Sequence, residues 1–249
     1  VTLWLNGLHC PFTDGMWQLL SDRTVWIPLY LIVAALMVWR LGWKRGLAYV
    51  LLTALAILCV DQFANLIKNW VARPRPCNDA YMCSMGHRLL EGRSRSYSFF
   101  SAHAANAVAF ALCSAHALRR GMKRTSARIY SWLIGLWAAM VGFSRVFVGK
   151  HYLGDVLVGF AAGAIISLIL VYLFDACAAK ATRTAAFLRQ FRSLLPLNHL
   201  VLCQHDFVKP LPRLYGERLR RQIDNPRCPL TTIIGIDGPE AVDTRYTVL

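Results

Sequence analysis

The chain has 249 residues, 56% of them hydrophobic and only 16% charged, and its mean hydropathy is +0.41. That composition excludes intrinsic disorder and argues against an ordinary soluble enzyme. Lys and Arg outnumber Asp and Glu by 28 to 13, yet no aromatic-basic RNA motif or recognition-helix pattern accompanies them, so nucleic acid is not an expected partner.

Residues 1–22 mix apolar side chains with Asn6, His9, Asp14 and Gln18 at helical spacing and read as a helix lying on a membrane surface, with Pro11 and Gly15 as breaks. The chain opens on Val1 and its first basic residue is Arg23. No signal-peptide start is visible, and the natural N-terminus is expected upstream. Five stretches nearly free of charge follow, at 25–39, 46–60, 102–118, 129–143 and 156–174. A membrane-spanning helix needs about 20 residues, so each recruits its flanks, with Arg40 and Arg45 snorkelling and Trp26, Tyr30, Trp39 and Trp43 at the interface. Spans are expected near 25–43, 46–68, 101–118, 129–148 and 153–174. The fold class is therefore all-α: a polytopic helical membrane protein with about five transmembrane helices and an N-terminal interfacial helix. Residues 1–175 make the membrane-embedded domain and 176–249 a basic tail, in which 185–204 reads as a membrane-surface helix.

Basic residues cluster on one face, at Arg40, Lys44 and Arg45, then Arg119, Arg120, Lys123, Arg124 and Arg128, then along the tail. That face is expected in the cytoplasm. The connection at 73–100, with Pro74, Pro76, Gly86, Gly92 and the run GRSRSYS, falls on the other side and is long enough to expect a function. The eight cysteines show no CxxC pair and no Cys/His ligand spacing, so no metal site is expected. Cys77 and Cys83 lie in that outer connection, where an oxidising compartment would permit a disulfide.

Ionisable groups beside membrane spans are costly and read as functional by default. Lys68 and Arg75 are seven apart, two turns on one helix side, and suit one phosphate; Asp61 and Asn65 extend the stripe and read either as orienting Lys68 or as making a buried structural hydrogen bond. Ser101 precedes an apolar helical run as its cap, with Ala102 and His103 in the first turn, where free N–H groups attract anions. Ser144 and Arg145 precede His151 and Asp155, which are four apart, so the carboxylate can fix the imidazole tautomer that leaves the other nitrogen nucleophilic. All three clusters share one membrane face, the one opposite the basic loops, and so read as a single site open to the periplasm or another exoplasmic space.

These residues resemble the type 2 phosphatidic acid phosphatases, a family that shares its site with vanadium-dependent haloperoxidases. The family's first motif is Lys, six residues, Arg-Pro, matched by Lys68 and Arg75-Pro76. Its second, Pro-Ser-Gly-His, is met by Phe100, Ser101, Ala102 and His103, with only Ser and His retained. Its third, Ser-Arg, five residues, His, three residues, Asp, fits Ser144, Arg145, His151 and Asp155 without a gap. Arg73-Pro74 offers a competing register, but with only four residues between it and Lys68. The resemblance implies that His151 attacks phosphorus to form a phosphohistidine, Asp155 orients it and His103 protonates the leaving oxygen. Lys68, Arg75, Ser101, Ala102 and Arg145 would hold the phosphoryl group, with Asp61, Asn65 and Ser144 supporting them and with no metal or cofactor.

The expected function is hydrolysis of a lipid phosphomonoester or diphosphate at the outer face of a bacterial inner membrane. Lipid A phosphate, undecaprenyl diphosphate, phosphatidate and phosphatidylglycerophosphate are the candidate substrates. A phospholipid-binding or transport protein whose catalysis Phe100 or Ala102 has disabled is the alternative, and a haloperoxidase a further one.

Overall fold

Alanine occupies nearly half of one short helix, and that helix is the one the others enclose. The computed structural model describes residues 1–8 and 10–194. Its helices are α1 (Thr2–Gly7), α2 (Pro11–Ser21), α3 (Ile27–Leu41), α4 (Trp43–Val71), α5 (Ala80–Ser84), α6 (Ala102–Leu118), α7 (Arg124–Phe147) and α8 (Leu153–Leu194), and no strand occurs among the described residues. Twelve of the seventeen residues of α6 are buried. Ala107, Ala111 and Phe110 join Leu52 and Ala56 of α4, Met37 of α3 and Ile134 and Ala138 of α7 in the main core.

Small residues allow the helices to approach closely, which matters because lipid tails give apolar helices no hydrophobic reason to associate. A Cβ on Gly159 of α8 would lie 2.6 Å from the Ser101 carbonyl oxygen, and one on Gly163 2.3 Å from that of Ala105. The two glycines are one turn apart, so they form a groove into which α6 seats. On the other side of the bundle, a Cβ on Gly46 of α4 would meet Val38 Cα of α3 at 2.4 Å.

Four helical stretches are long and apolar enough to cross a membrane: Thr24–Leu41, those opening at Trp43 and Leu153, and Arg124–Phe147. The shorter α6 is apolar too. Leu31, Leu51, Leu55, Trp132, Leu136 and Leu168 project outward and exposed, as lipid-facing side chains do. The polytopic all-α membrane fold expected from the sequence is thus the observed one.

At one end of the bundle, Asp175 of α8 accepts hydrogen bonds from Arg120 (2.7 Å), His116 of α6 (3.0 Å) and Tyr49 of α4 (3.4 Å). At the other end the chain reverses twice in ways that build the site. Ala72, at φ +50°, closes α4 with its N–H on the Lys68 carbonyl. Gly149, at φ +82°, turns α7 toward α8, and a Cβ there would lie 2.3 Å from the Arg88 carbonyl oxygen, so only glycine serves.

Several expectations are corrected. The segment 1–22 is two helices split before Pro11, and Gly15 lies inside α2 without breaking it. Neither helix lies free: Asn6 is buried and its amide donates to the Arg88 (3.0 Å) and Phe147 (3.1 Å) carbonyls, while Trp17 stacks on Phe147 with ring centroids 4.1 Å apart. Cys77 and Cys83 are free thiols, Cys77 buried and Cys83 exposed. Of the surface helix expected at 185–204, residues up to 194 continue α8, and the remainder lies outside the described residues.

If the Gly159/Gly163 groove sets the α6–α8 distance, Gly163→Ala forces the helices apart. The thermal midpoint in detergent should drop by several degrees. Gly135→Ala, where a Cβ meets nothing within 4 Å, should leave it unchanged or raise it slightly through helix propensity.

Candidate active site

The C-terminal ends of α4 and α7, the N-terminal ends of α6 and α8 and the connection 73–100 meet at one end of the bundle, around a cavity of about 980 Å³. Five cations, Arg23, Lys68, Arg75, Arg145 and Lys150, line it against three carboxylates, Asp22, Asp61 and Glu91. The excess of positive charge in a walled cavity suits an anion.

His151 sits in the turn before α8 and is almost wholly buried. Its Nδ1 faces Asp155 Oδ2 at 3.6 Å, and its Nε2 lies 3.3 Å from Arg75 Nη1 on the cavity wall. Arginine only donates, so Nε2 must be the unprotonated nitrogen and Nδ1 the N–H that points at the carboxylate. Burial holds the imidazole down to about 4; Asp155 raises it, and Arg75 and Arg145 lower it further. The ring is therefore neutral, with the Nε2 lone pair turned toward Arg75 and the cavity.

Asp155 has no solvent exposure. It accepts from Arg73 Nη1 at 2.9 Å, from Ser98 Oγ and from the Tyr152 N–H at 3.2 Å, and its own carbonyl accepts the Ser101 N–H at 3.0 Å. Arg73 is sandwiched further by the Tyr152 ring, 3.8 Å beneath its guanidinium carbon. The doublet Arg73-Pro74/Arg75-Pro76 thus supplies two arginines with separate tasks. One neutralises the buried carboxylate and the other lines the cavity.

Arg75 does not continue the helix of Lys68. α4 ends at Val71, and Arg75 stands on extended backbone. Its Nε and Nη2 donate to the Ser96 carbonyl and hydroxyl, both at 2.8 Å, and its Nη1 to the Lys150 carbonyl at 3.3 Å. Lys68 still faces the same cavity, from the last turn of α4. Asp61 and Asn65 line it as well, and Asp61 accepts from the Asn65 amide at 3.5 Å and from the Asn106 amide at 3.4 Å.

From α6, Ala102 and His103 line the cavity. Ser101 is fully buried and accepts from the Ala104 N–H at 3.5 Å, so its hydroxyl is engaged as the helix cap. Arg145 reaches the cavity from α7 and donates to Ser21 Oγ and, at 3.4 Å, to Glu91. Ser144 does not line it: it is buried and donates back to the Val141 carbonyl at 2.7 Å.

Sequence reading missed Lys150, Glu91, Ser21 and the serines of the connection, and it set Arg73 aside as a competing register. Lys150 lines the cavity beside His151 and holds the Gly92 carbonyl and, at 3.5 Å, Glu91. The serines carried a signal: Ser94, Ser96 and Ser98 alternate with Arg93, Arg95 and Tyr97, so an extended chain turns all three hydroxyls one way. Among the described residues no three of His, Cys, Asp and Glu gather as a metal site would require.

The family model described as PAP2 superfamily matches residues 45–178. The chain belongs to the PAP2 superfamily. A lipid A 4'-phosphatase of Bacteroides thetaiotaomicron is 32% identical over 182 residues, covering 72% of this chain and 76% of that protein. A lipid A 4'-phosphatase of Porphyromonas gingivalis is 27% identical over 175 residues, covering 69% and 71%. The crystal structure of a transmembrane PAP2-type phosphatidylglycerolphosphate phosphatase from Bacillus subtilis shares the fold, with a TM-score of 0.57 at 23% identity, over 70% of this chain and 83% of that one. As a PAP2 protein, this chain is a membrane-embedded lipid phosphatase, a hydrolase of phosphoester bonds.

Arg73 has a specific consequence for stability. Arg73→Ala strands a fully buried carboxylate, which costs about 1–3 kcal/mol. A lowered thermal midpoint in detergent, recovered in part by Arg73→Lys, is the expected result.

Proposed function

We propose that His151 is the nucleophile of a phosphatase that works through a phosphohistidine, and the observation that carries this is the orientation of its ring. Nδ1 points at Asp155 and Nε2 at the cavity beside Arg75. Nε2 attacks phosphorus, the P–O bond to the lipid breaks, and His103 passes a proton to the departing oxygen. Water then attacks the phosphohistidine, freeing inorganic phosphate and restoring the imidazole. Lys68, Arg75 and Arg145 hold the equatorial oxygens throughout, with Ala102 and the capped N-terminus of α6 beside them. Ser101 acts through that cap.

The substrate is a lipid phosphomonoester or diphosphate, and lipid A phosphate is the first candidate, supported by the two relatives named for that activity. Undecaprenyl diphosphate, phosphatidate and phosphatidylglycerophosphate follow. The basic residues at the opposite end of the bundle, Arg40, Lys44, Arg45, Arg119, Arg124 and Arg128 among them, support a cytoplasmic placement of that end and a periplasmic opening for the cavity in a bacterial inner membrane. Residues 176–249 would then be a basic cytoplasmic extension of a membrane domain at 1–175.

The test is release of inorganic phosphate by the purified chain in detergent with EDTA, across those four lipids. Release from at least one, abolished in His151→Ala, is expected; turnover in that variant would remove His151 as nucleophile. Because the imidazole is held at about 4, it stays neutral down to that pH. After correction for substrate ionisation near pH 6, the acidic limb of kcat/KM that reports His151 should lie near pH 4, and a limb for that group at the ordinary histidine value would contradict the assignment.

A further inference from the structure

The cavity changes character with depth. On α4, Ile57, Asp61, Asn65 and Lys68 all line it, at spacings of four, four and three that share one helix face. With about 1.5 Å of rise per residue, Asp61 lies roughly 10 Å below Lys68 along the axis, and Ile57 roughly 6 Å deeper still. On α6, His103 lines the cavity near the mouth and Asn106 one turn below it, followed by Ala107. Three layers result: cations and imidazoles at the mouth, then Asp61, Asn65 and Asn106, then an apolar floor of Ile57, Ala107 and Val141.

Phosphoryl transfer leaves the middle layer without a task, and a carboxylate there repels phosphate. Its groups bond only to one another, at the long limit of hydrogen bonding: the Asn65 and Asn106 amides donate to the two oxygens of Asp61 at 3.5 and 3.4 Å. Asn106 Oδ1 is buried and takes no hydrogen bond from the described residues. The amide cannot be turned round to relieve this, since its oxygen would then face the Asp61 carboxylate. A carboxylate and a buried amide oxygen at membrane depth, both short of donors, are costly unless a ligand supplies the donors. The layer lies between where a phosphate binds and where an acyl chain fits, which is where a lipid headgroup must sit.

We propose that Asp61, Asn65 and Asn106 form a headgroup subsite that accepts the hydroxyls of a glycosyl phosphate lipid, and that it selects such lipids over polyprenyl phosphates. The proposal rests on the phosphatase reading above. A site built to hydrogen-bond hydroxyls rejects a substrate lacking them, because its own polar groups are then left unpaired. The bare polyprenyl chain offers no donor, phosphatidylglycerophosphate offers one hydroxyl on its headgroup glycerol, and the acylated glucosamines of lipid A offer free hydroxyls together with amide N–H groups.

The experiment is kcat/KM of the purified chain for lipid A, phosphatidylglycerophosphate and undecaprenyl diphosphate, beside Asn106→Ala and Asn65→Ala. The wild type should prefer lipid A to undecaprenyl diphosphate by about tenfold or more. Each variant should erode that ratio by raising KM for lipid A, with kcat little changed. Equal losses on all three lipids, or no loss, would overturn the subsite. A preference for phosphatidylglycerophosphate over lipid A would overturn the sugar as its occupant. Asn65 is exposed, so its variant decides the matter should Asn106→Ala fail to fold. A wild type that releases phosphate from none of the lipids defeats the phosphatase reading itself, whereas one that is active without preference defeats only this proposal.

Discussion

A carboxylate with no solvent exposure at the mouth of a membrane bundle must be neutralised by its surroundings, and most of the site follows from how Asp155 is neutralised. Arg73 supplies the charge, Ser98 and the Tyr152 N–H supply hydrogen bonds, and the Asp155 carbonyl takes the N–H of Ser101. These contacts tie the start of α8 to the chain leaving α4, to the connection 73–100 and to the cap of α6. Three stretches of sequence, at Arg73, at Ser98 to Ser101 and at Tyr152 to Asp155, are therefore held in one place around one buried residue. His151, four residues before Asp155, inherits its orientation from that arrangement, and the burial that the arrangement requires keeps the ring neutral.

The opposite requirement governs the cavity. Its arginines and lysines are retained by partners that immobilise them without consuming their charge: Arg75 by the Ser96 carbonyl and hydroxyl, Arg145 by Ser21 and Glu91, Lys150 by the Gly92 carbonyl and the same Glu91. One carboxylate shared by two cations leaves net positive charge for an anion while reducing the repulsion between them. The short helices α1 and α2 belong to this design. α2 walls the cavity with Gln18, Leu20 and Ser21, and the two helices are held to the end of α7, α1 through Asn6 and α2 through Trp17.

The spans were legible because apolar length and flanking charge are local properties, and the fold class read from them agrees with the structure. The cavity-lining positions Lys68, Arg75, His103, Arg145 and His151 were legible as spaced motifs, but spacing alone misjudged how they are carried. Two turns of helix between Lys68 and Arg75 looked natural, whereas α4 stops at Val71 and Ala72 turns the chain. Arg73 was set aside as a competing register because a motif admits one arginine, while its partner, Asp155, lies 82 residues away. Ser144 sat beside Arg145 in the motif, yet a helical neighbour points elsewhere, and its hydroxyl returns to its own helix. The Gly159/Gly163 groove went unnoticed because small residues in a span acquire meaning only from the helix they face.

The chemistry ascribed to His151 is tested most directly by trapping the intermediate. Wild-type chain mixed with phosphate-labelled lipid and quenched in alkali within milliseconds, then digested and analysed by mass spectrometry, should carry phosphate on His151, as a base-stable, acid-labile adduct. Phosphate on another residue, or turnover with no phosphorylated protein at any time after mixing, would contradict it.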